Sequence, residues 1–237
     1  MTPPLEADDV QVVRVEDERT PLAKEALELI ADSFPPHDRQ PLDQLAMEIT
    51  ERRLGLLTSY DFHLFAAVDD EGHVLGIAAG VYLGGVNAGF VTYLAVRKEA
   101  REMQLGRRLR TRLIDAFRAG ARQLEWEDLA WVVGEVRLES PWLRRLVRDK
   151  AVIPFDLRYF HPGVDTEGPD EEWVLYRQPV ADTREDLPSA EVARLLYAIW
   201  RRAYRVRWPL QRPGFQSMLR EIQARETIGF LPALKEE

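Results

Sequence analysis

Residues 93–109 constrain the chain most. Tyr93-Leu94-Ala95-Val96 is an apolar strand end, and the run from Arg97 to Gly106 leads straight into Arg107-Arg108-Leu109. Leu105, Leu109, Leu113, Ile114 and Phe117 share one side of the following stretch and arginines dominate the other, which predicts a helix from Leu105 to Leu124. A strand running into a helix through a short turn needs a sheet with a helix packed on it. The start of such a helix carries unpaired N–H groups and the positive end of the macrodipole, so it can cradle a phosphate. Gly106 has no Cβ and lets an anion approach the backbone closely. The run contains no Gly-Lys-Ser/Thr, which excludes a Walker loop. It also lacks two of the three glycines of a dinucleotide-binding turn.

The surrounding pattern supplies the other elements. Val10 to Val15 reads as a first strand. Leu22, Ala26, Leu29, Ile30 and Phe34 recur at helical spacing, and the helix must end before Pro35. Asp43 reads as the N-cap of a second helix carrying Leu45, Ile49 and Leu56 on one face. Phe62 to Asp69 and Val74 to Leu83 form a hairpin across Asp70-Glu71-Gly72, and Gly84-Gly85-Val86-Asn87 turns the chain into a strand from Gly89 to Val96. Leu129 to Val136 is a nearly continuous apolar run, as in a central strand. Pro141 opens a helix through about Asp149. Strands follow at Ala151 to Tyr159 and Trp173 to Tyr176, with a polar loop from Gly163 to Asp170 between them. Two amphipathic helices close the chain, Ser189 to Val206 and Pro213 to Arg225.

This chain resembles the GNAT superfamily of acyl-CoA-dependent N-acyltransferases. The family signature is an L-x-V strand end, then R-x-x-G-x-G, then a helix. Here Leu94-Ala95-Val96 is followed by Arg101-x-x-Gln104-x-Gly106, so Arg101 and Gly106 match and Gln104 replaces the first motif glycine. Further on, Val136, Ser140, Leu143, Leu146, Val147, Ala151 and Val152 keep the spacing of the family's V-x-x-x-N-x-x-A-x-x-L-Y-x-x-x-G-F run, with Val136 and Leu146 identical. The resemblance covers about residues 11–178. It implies an α+β fold: a mixed, mainly antiparallel sheet flanked by helices. It also implies an acyltransferase domain over 1–180 with a C-terminal helical extension over 181–237.

The resemblance implies roles as well. Acetyl-CoA would be the acyl donor, with its pyrophosphate at the amides of Met103, Leu105, Gly106, Arg107 and Arg108, and Gln104 within the same turn. Arg107 and Arg108 add positive charge there, or form a solvated helix face. The end of the Leu94-Ala95-Val96 strand would pair with the pantetheine arm. The segment from Ser33 to Arg39 would wall the acceptor site. Direct transfer to a primary amine needs a base, and Glu135, a carboxylate in an otherwise apolar strand, is the candidate. The alternative is that Glu135 pairs with an arginine at the sheet edge. The family's acidic tyrosine falls on Val147, so that role is vacant, with Tyr93 and Tyr159 as fallbacks. The loss of that tyrosine and of the first glycine favours the competing reading, a catalytically weak acyl-CoA-binding sensor or scaffold.

Composition excludes several other classes. The chain has 237 residues, 46% hydrophobic and 30% charged, enough for one large domain or a domain with an appendage. Without cysteine there is no disulfide framework and no thiolate chemistry or ligation. None of the four histidines is at H-x-x-x-H spacing, so no metal is expected. A net charge of −8 argues against nucleic acid as a partner. No apolar run is long enough to span a bilayer, and residues 1–13 show no basic region leading into an apolar one. The expected location is cytoplasmic, without membrane contact. In the tail, Tyr197, Trp200 and Tyr204 form an aromatic stripe at helical spacing, whose exposure would favour a homodimer.

Overall fold

The computed structural model describes residues 10–57, 59–162 and 173–234. They fall into two compact units, the described residues of 1–81 and 91–120 in one and those of 82–90 and 121–237 in the other.

In the first unit, β1 (Gln11–Arg14) pairs antiparallel with β2 (Tyr60–Val68), from Gln11 opposite Val68 to Arg14 opposite Phe65. Helix α1 (Pro21–Ser33) begins at Thr20, whose hydroxyl accepts the Ala23 N–H at 3.2 Å, with proline in the first turn. It stops at Phe34, which precedes Pro35 and is extended. Helix α2 (Leu42–Arg53) starts two residues earlier than the sequence suggests. Pro41 precedes it, and Asp43 lies inside the first turn, where its carboxylate accepts the Gln44 N–H at 3.0 Å. The hairpin from β2 to β3 (Val74–Leu83) is closed by Asp69, whose Oδ1 accepts the N–H groups of Glu71 and His73. Gly72 takes the positive φ of that turn. Leu105, Leu109, Leu113 and Phe117 of α3 (Leu105–Gln123) are all buried. Gly76 of β3 lets this helix close down: a Cβ there would come within 3.0 Å of Leu109 Cδ1.

The division between the units falls inside β3, inside β4 (Ala88–Val96) and, after Gly120, near the end of α3. In the second unit, the 3₁₀ turn Gly84–Val86 ends at Asn87, with φ of 48°. The Asn87 side chain accepts from the Tyr82 hydroxyl at 3.1 Å and donates to the Asp128 carbonyl at 2.9 Å. Strand β5 (Trp131–Arg137) pairs antiparallel with β7 (Trp173–Pro179) along its whole length. Helix α4 (Pro141–Arg148) lies between β5 and β6 in sequence. The strand expected from Ala151 to Tyr159 is only two residues long, β6 (Ile153–Pro154). Pro154 has no N–H to donate, Phe155 pairs instead with Phe230, and Tyr159 makes a lone bridge to Trp173. The expected loop from Gly163 to Asp170 lies outside the described residues. The strand order of the seven-stranded mixed sheet is β1-β2-β3-β4-β5-β7-β6, and most pairs are antiparallel.

Residues 181–237 cluster in the same unit as β5 and β7. β8 (Leu187–Pro188) pairs with β9 (Thr227–Ile228). The long helix expected from Ser189 to Val206 divides into α5 (Ser189–Ala198) and a π-helical turn, Ile199–Ala203. In that turn the Tyr204 N–H reaches back five residues to the Ile199 carbonyl, at 3.0 Å. The wider turn breaks the 3.6-residue period on which the aromatic stripe was read. Tyr197 is 43% exposed, but Trp200 and Tyr204 are 3% and 9% exposed. Both are covered within the chain, so the stripe is no continuous surface and gives a homodimer no basis. Helix α6 (Pro213–Gln223) packs Phe215 against Trp200, ring centroids 5.1 Å apart. Among the described residues, no helix is long and apolar enough to cross a membrane.

Candidate functional site

The first unit holds the strand–turn–helix singled out in the sequence. β4 ends at Val96, a 3₁₀ segment runs from Lys98 to Met103, and α3 starts at Leu105. Between them, Gln104 is left-handed, with φ of 54° and ψ of 22°. The missing motif glycine thus changes the residue and keeps a conformation that glycine adopts freely. Gly106 is free of any such backbone requirement. A Cβ there would meet only Val96 Cγ2, at an ordinary 3.8 Å. The amides of Arg107 and Arg108 turn to the Gln104 carbonyl, at 3.1 and 3.3 Å.

Two clefts flank this turn. One, of about 720 Å³, is lined by Val12, Glu102, Met103, Gln104, Arg107, Arg108, Thr111 and Arg112. Arg108 donates from Nη2 to the Val10 carbonyl at 2.5 Å, which ties the helix start to the chain entering β1. Arg107 and Arg112 are exposed, and neither forms an ion pair among the described residues. The other cleft, of about 630 Å³, runs between the end of α1 (Leu29, Asp32, Ser33, Phe34) and the end of β4 (Leu94, Ala95, Val96), with Arg97, Lys98, Glu99 and Arg101 at its rim. Arg97 is fixed by its own N–H on the Leu75 carbonyl at 2.8 Å and by Nε on the Val74 carbonyl at 2.7 Å.

Tyr93 is also in this unit and is buried. Its hydroxyl accepts the Gln40 N–H at 2.8 Å, and its ring packs on Phe34 at 5.1 Å. The Gln40 side chain in turn donates to Glu48 of α2 at 3.1 Å. Tyr93 therefore anchors the segment joining α1 to α2, a structural use of a side chain read from the sequence as a fallback acid.

Glu135 and Tyr159 come together in the second unit. The Tyr159 hydroxyl donates to Glu135 Oε2 at 2.5 Å. The Tyr204 hydroxyl donates to Oε1, and His161 Nε2 lies 3.1 Å from the same oxygen. The Glu135 side chain is only 5% exposed. Burying a carboxylate costs several kcal/mol unless donors replace water, and here two phenols do so, with the His161 ring alongside. The sheet-edge arginine expected as the alternative partner is not among them; Arg137 lies over the Trp173 ring at 4.7 Å. Burial and the Glu135 carboxylate push the Tyr159 phenol well above its ordinary range, so Tyr159 keeps its proton. The His161 ring stacks on Trp173 at 4.7 Å and meets the Tyr204 ring edge-on at 5.0 Å. Sequence reasoning missed His161 and Tyr204. Neither lies in a motif, and the one signal for Tyr204, the aromatic stripe, pointed outward. Val147, at the family's tyrosine position, packs on the apolar cluster of Leu143, Val152, Val174 and Tyr176.

Comparison with known proteins agrees with this architecture. The model of the acetyltransferase (GNAT) family matches residues 23–133. A GNAT-family protein of Bacteroides thetaiotaomicron superimposes with a TM-score of 0.57 at 15% identity, over 83% of this chain and 99% of that one. A protein of Acinetobacter baylyi named as an acetyltransferase gives 0.53 at 14% identity, over 73% and 94% of the two chains. One from Desulfovibrio desulfuricans, named as of the GNAT family, gives 0.52 at 15%, over 73% and 99%. At such identities the superpositions speak for the fold. No curated protein matches the sequence. The family match, the shared fold and the strand–turn–helix of residues 94–108 together identify residues 23–133 as a GNAT acetyltransferase domain.

Proposed function

We propose that the chain moves an acetyl group from acetyl-CoA directly onto a primary amine. The observation that carries this reading is the helix start of α3. Gln104 holds a glycine's conformation, and Gly106 is a glycine that packing within the chain does not require. A ligand that must approach the backbone explains both. The amides of Met103, Leu105 and Gly106 would hold the pyrophosphate, with Arg107 adding charge. The amides of Arg107 and Arg108 are shared with the Gln104 carbonyl, which narrows the cradle read from the sequence. The end of β4, which lines the cleft beside α1, would pair through its backbone with the pantetheine arm. The loop held by Tyr93 would border the acceptor.

In the transfer, the amine nitrogen bonds to the thioester carbonyl carbon, the C–S bond breaks with its electron pair on sulfur, and the CoA thiolate takes up the proton that the nitrogen sheds on becoming an amide. The ammonium proton must leave before attack, and Glu135 is its proposed destination. Each Glu135 oxygen holds one phenolic O–H, which leaves lone pairs free for a proton. Tyr159 stays protonated and supports the carboxylate rather than acting as a second base.

Gly106→Ala tests the donor site. The variant should unfold like the parent, because its Cβ meets only ordinary contact, and should bind CoA more weakly by calorimetry. Unchanged affinity would remove the site from α3. Thiol release from acetyl-CoA with a panel of primary amines tests turnover. A second reading, acyl-CoA binding without turnover, is favoured by Val147 and by the deep burial of Glu135. Tight binding with no thiol release across the panel would select it.

A further inference from the structure

We propose that Tyr204, supplied by the C-terminal segment, is a positioning residue for acyl transfer: its hydroxyl sets the orientation and charge of the Glu135 carboxylate. The proposal rests on Glu135 as the proton's destination. It gives residues 181–237 a part in the chemistry that neither the family match, which ends at residue 133, nor the matched motifs contain.

The geometry is specific. Glu135 belongs to β5, and the groups meeting its carboxylate come from two later parts of the chain. Tyr159 and His161 belong to the segment after β6, and Tyr204 follows the π-helical turn. Each carboxylate oxygen takes one phenol, so rotation about the carboxylate bond is fixed from both sides. The Tyr204 ring has little freedom. It meets His161 edge-on, and Phe90, at the start of β4, lies 5.8 Å away at a steep angle.

The π turn is what delivers it. A regular helix would bond the Tyr204 N–H to Trp200, four residues back, and would carry the side chain round to a different face. The bond to Ile199 instead inserts one residue into the turn. Helix α5 then stays anchored by buried Val192, Leu195, Leu196 and Ile199, while Tyr204 points at Glu135. A phenol retained only to fill space needs no such irregularity, since Trp200 one turn earlier already packs on Phe215.

The titratable and charged groups around the carboxylate are Tyr159 and His161 on the segment after β6, Tyr204 after the π turn and Arg137 on its own strand. From β7, Trp173 contributes an uncharged ring. A phenol donating to a carboxylate favours the charged form. Its loss should make the carboxylate a poorer anchor and move the acidic limb of the pH–rate profile upward.

The experiment uses the full chain, acetyl-CoA and a primary amine that turns over in the panel. Tyr204→Phe keeps the ring and removes the hydroxyl. We expect kcat to fall roughly 10- to 100-fold, the range for a hydrogen bond to a charged group, with the KM for acetyl-CoA unchanged and the acidic limb displaced to higher pH. Glu135→Gln with Tyr204→Phe should be no slower than Glu135→Gln alone, because the hydroxyl acts through the carboxylate. Fluorotyrosine at position 204, a stronger donor of nearly the same shape, should move the limb the opposite way, and it serves if the Phe variant does not fold. If Glu135→Gln abolishes turnover while removing or strengthening the Tyr204 hydroxyl leaves kcat and the pH profile alone, the positioning role is wrong. Full turnover in Glu135→Gln overturns the base assignment and this proposal together. Absence of turnover with every amine overturns the transfer reading itself.

Discussion

Gln104 and Gly106 carry opposite kinds of information. At position 106 the residue is legible and its reason is not internal, since a Cβ would be accommodated. At position 104 the family residue is gone and the left-handed backbone remains, at φ of 54°. A side chain in that region costs about 1 kcal/mol or more relative to glycine. Gln104→Gly should therefore raise stability by up to about 1 kcal/mol in a denaturant titration, less what glycine adds to the unfolded chain's entropy. CoA affinity should not fall. Sequence alone registers the substitution as a departure from the motif, because it reports residue identity and not φ.

At the scale of elements, β1, α2, β2 and α3 enclose a group unrelated to the donor site. His63 of β2 is buried, with its ring 6.0 Å from Phe117 of α3 and 6.4 Å from Phe65. Its Nε2 is 3.4 Å from Asp61, and Arg52 Nε is 3.0 Å from the same carboxylate. Burial, then the charges of Arg14 and Arg52, lower the His63 pKa well below its ordinary value of 6.5. The folded state binds this proton less readily than the unfolded state does. The resulting stability is fully present above about pH 6.5 and is lost as pH falls below it toward the folded value. Asp61 is shifted the other way, upward by burial, and acts nearer the carboxylate range. The parent's thermal midpoint should fall between pH 7 and pH 5, and His63→Leu should flatten that slope. An unchanged slope would assign the acid sensitivity to another group. Position 63 lies in an apolar run of β2, but its burial and the ring's two arginine neighbours, which come from separate elements, cannot be found along the chain.

At the scale of the molecule, the last 57 residues, 181–237, are integral to the second unit. Phe230, Leu231 and Leu234 pack on the cluster of Leu143, Val152, Val174 and Tyr176. Buried Arg177 of β7 donates to the backbone carbonyls of Arg184 and Glu185. Each large buried side chain lost with the tail is worth about 1.5–3 kcal/mol, and several together rival the 5–15 kcal/mol that holds an ordinary domain. A chain ending at Asp186 should show no cooperative melting transition in calorimetry; a sharp one would make the tail dispensable. What the sequence determined by itself is local. The strand–turn–helix at 93–109, the proline-ended α1, the hairpin at Gly72 and the apolar run of β5 all follow from periodicity, caps and backbone restrictions acting within a few residues. Tertiary structure decided the rest. It shortened the Ala151–Tyr159 strand, with Phe155 paired to Phe230, and buried Trp200 and Tyr204 of the tail's aromatic stripe beside a widened helical turn. It also surrounded Glu135 with Tyr159, His161 and Tyr204. Those are encounters between residues 24 to 75 positions apart, where burial and hydrogen-bond satisfaction, rather than local propensity, choose the partner.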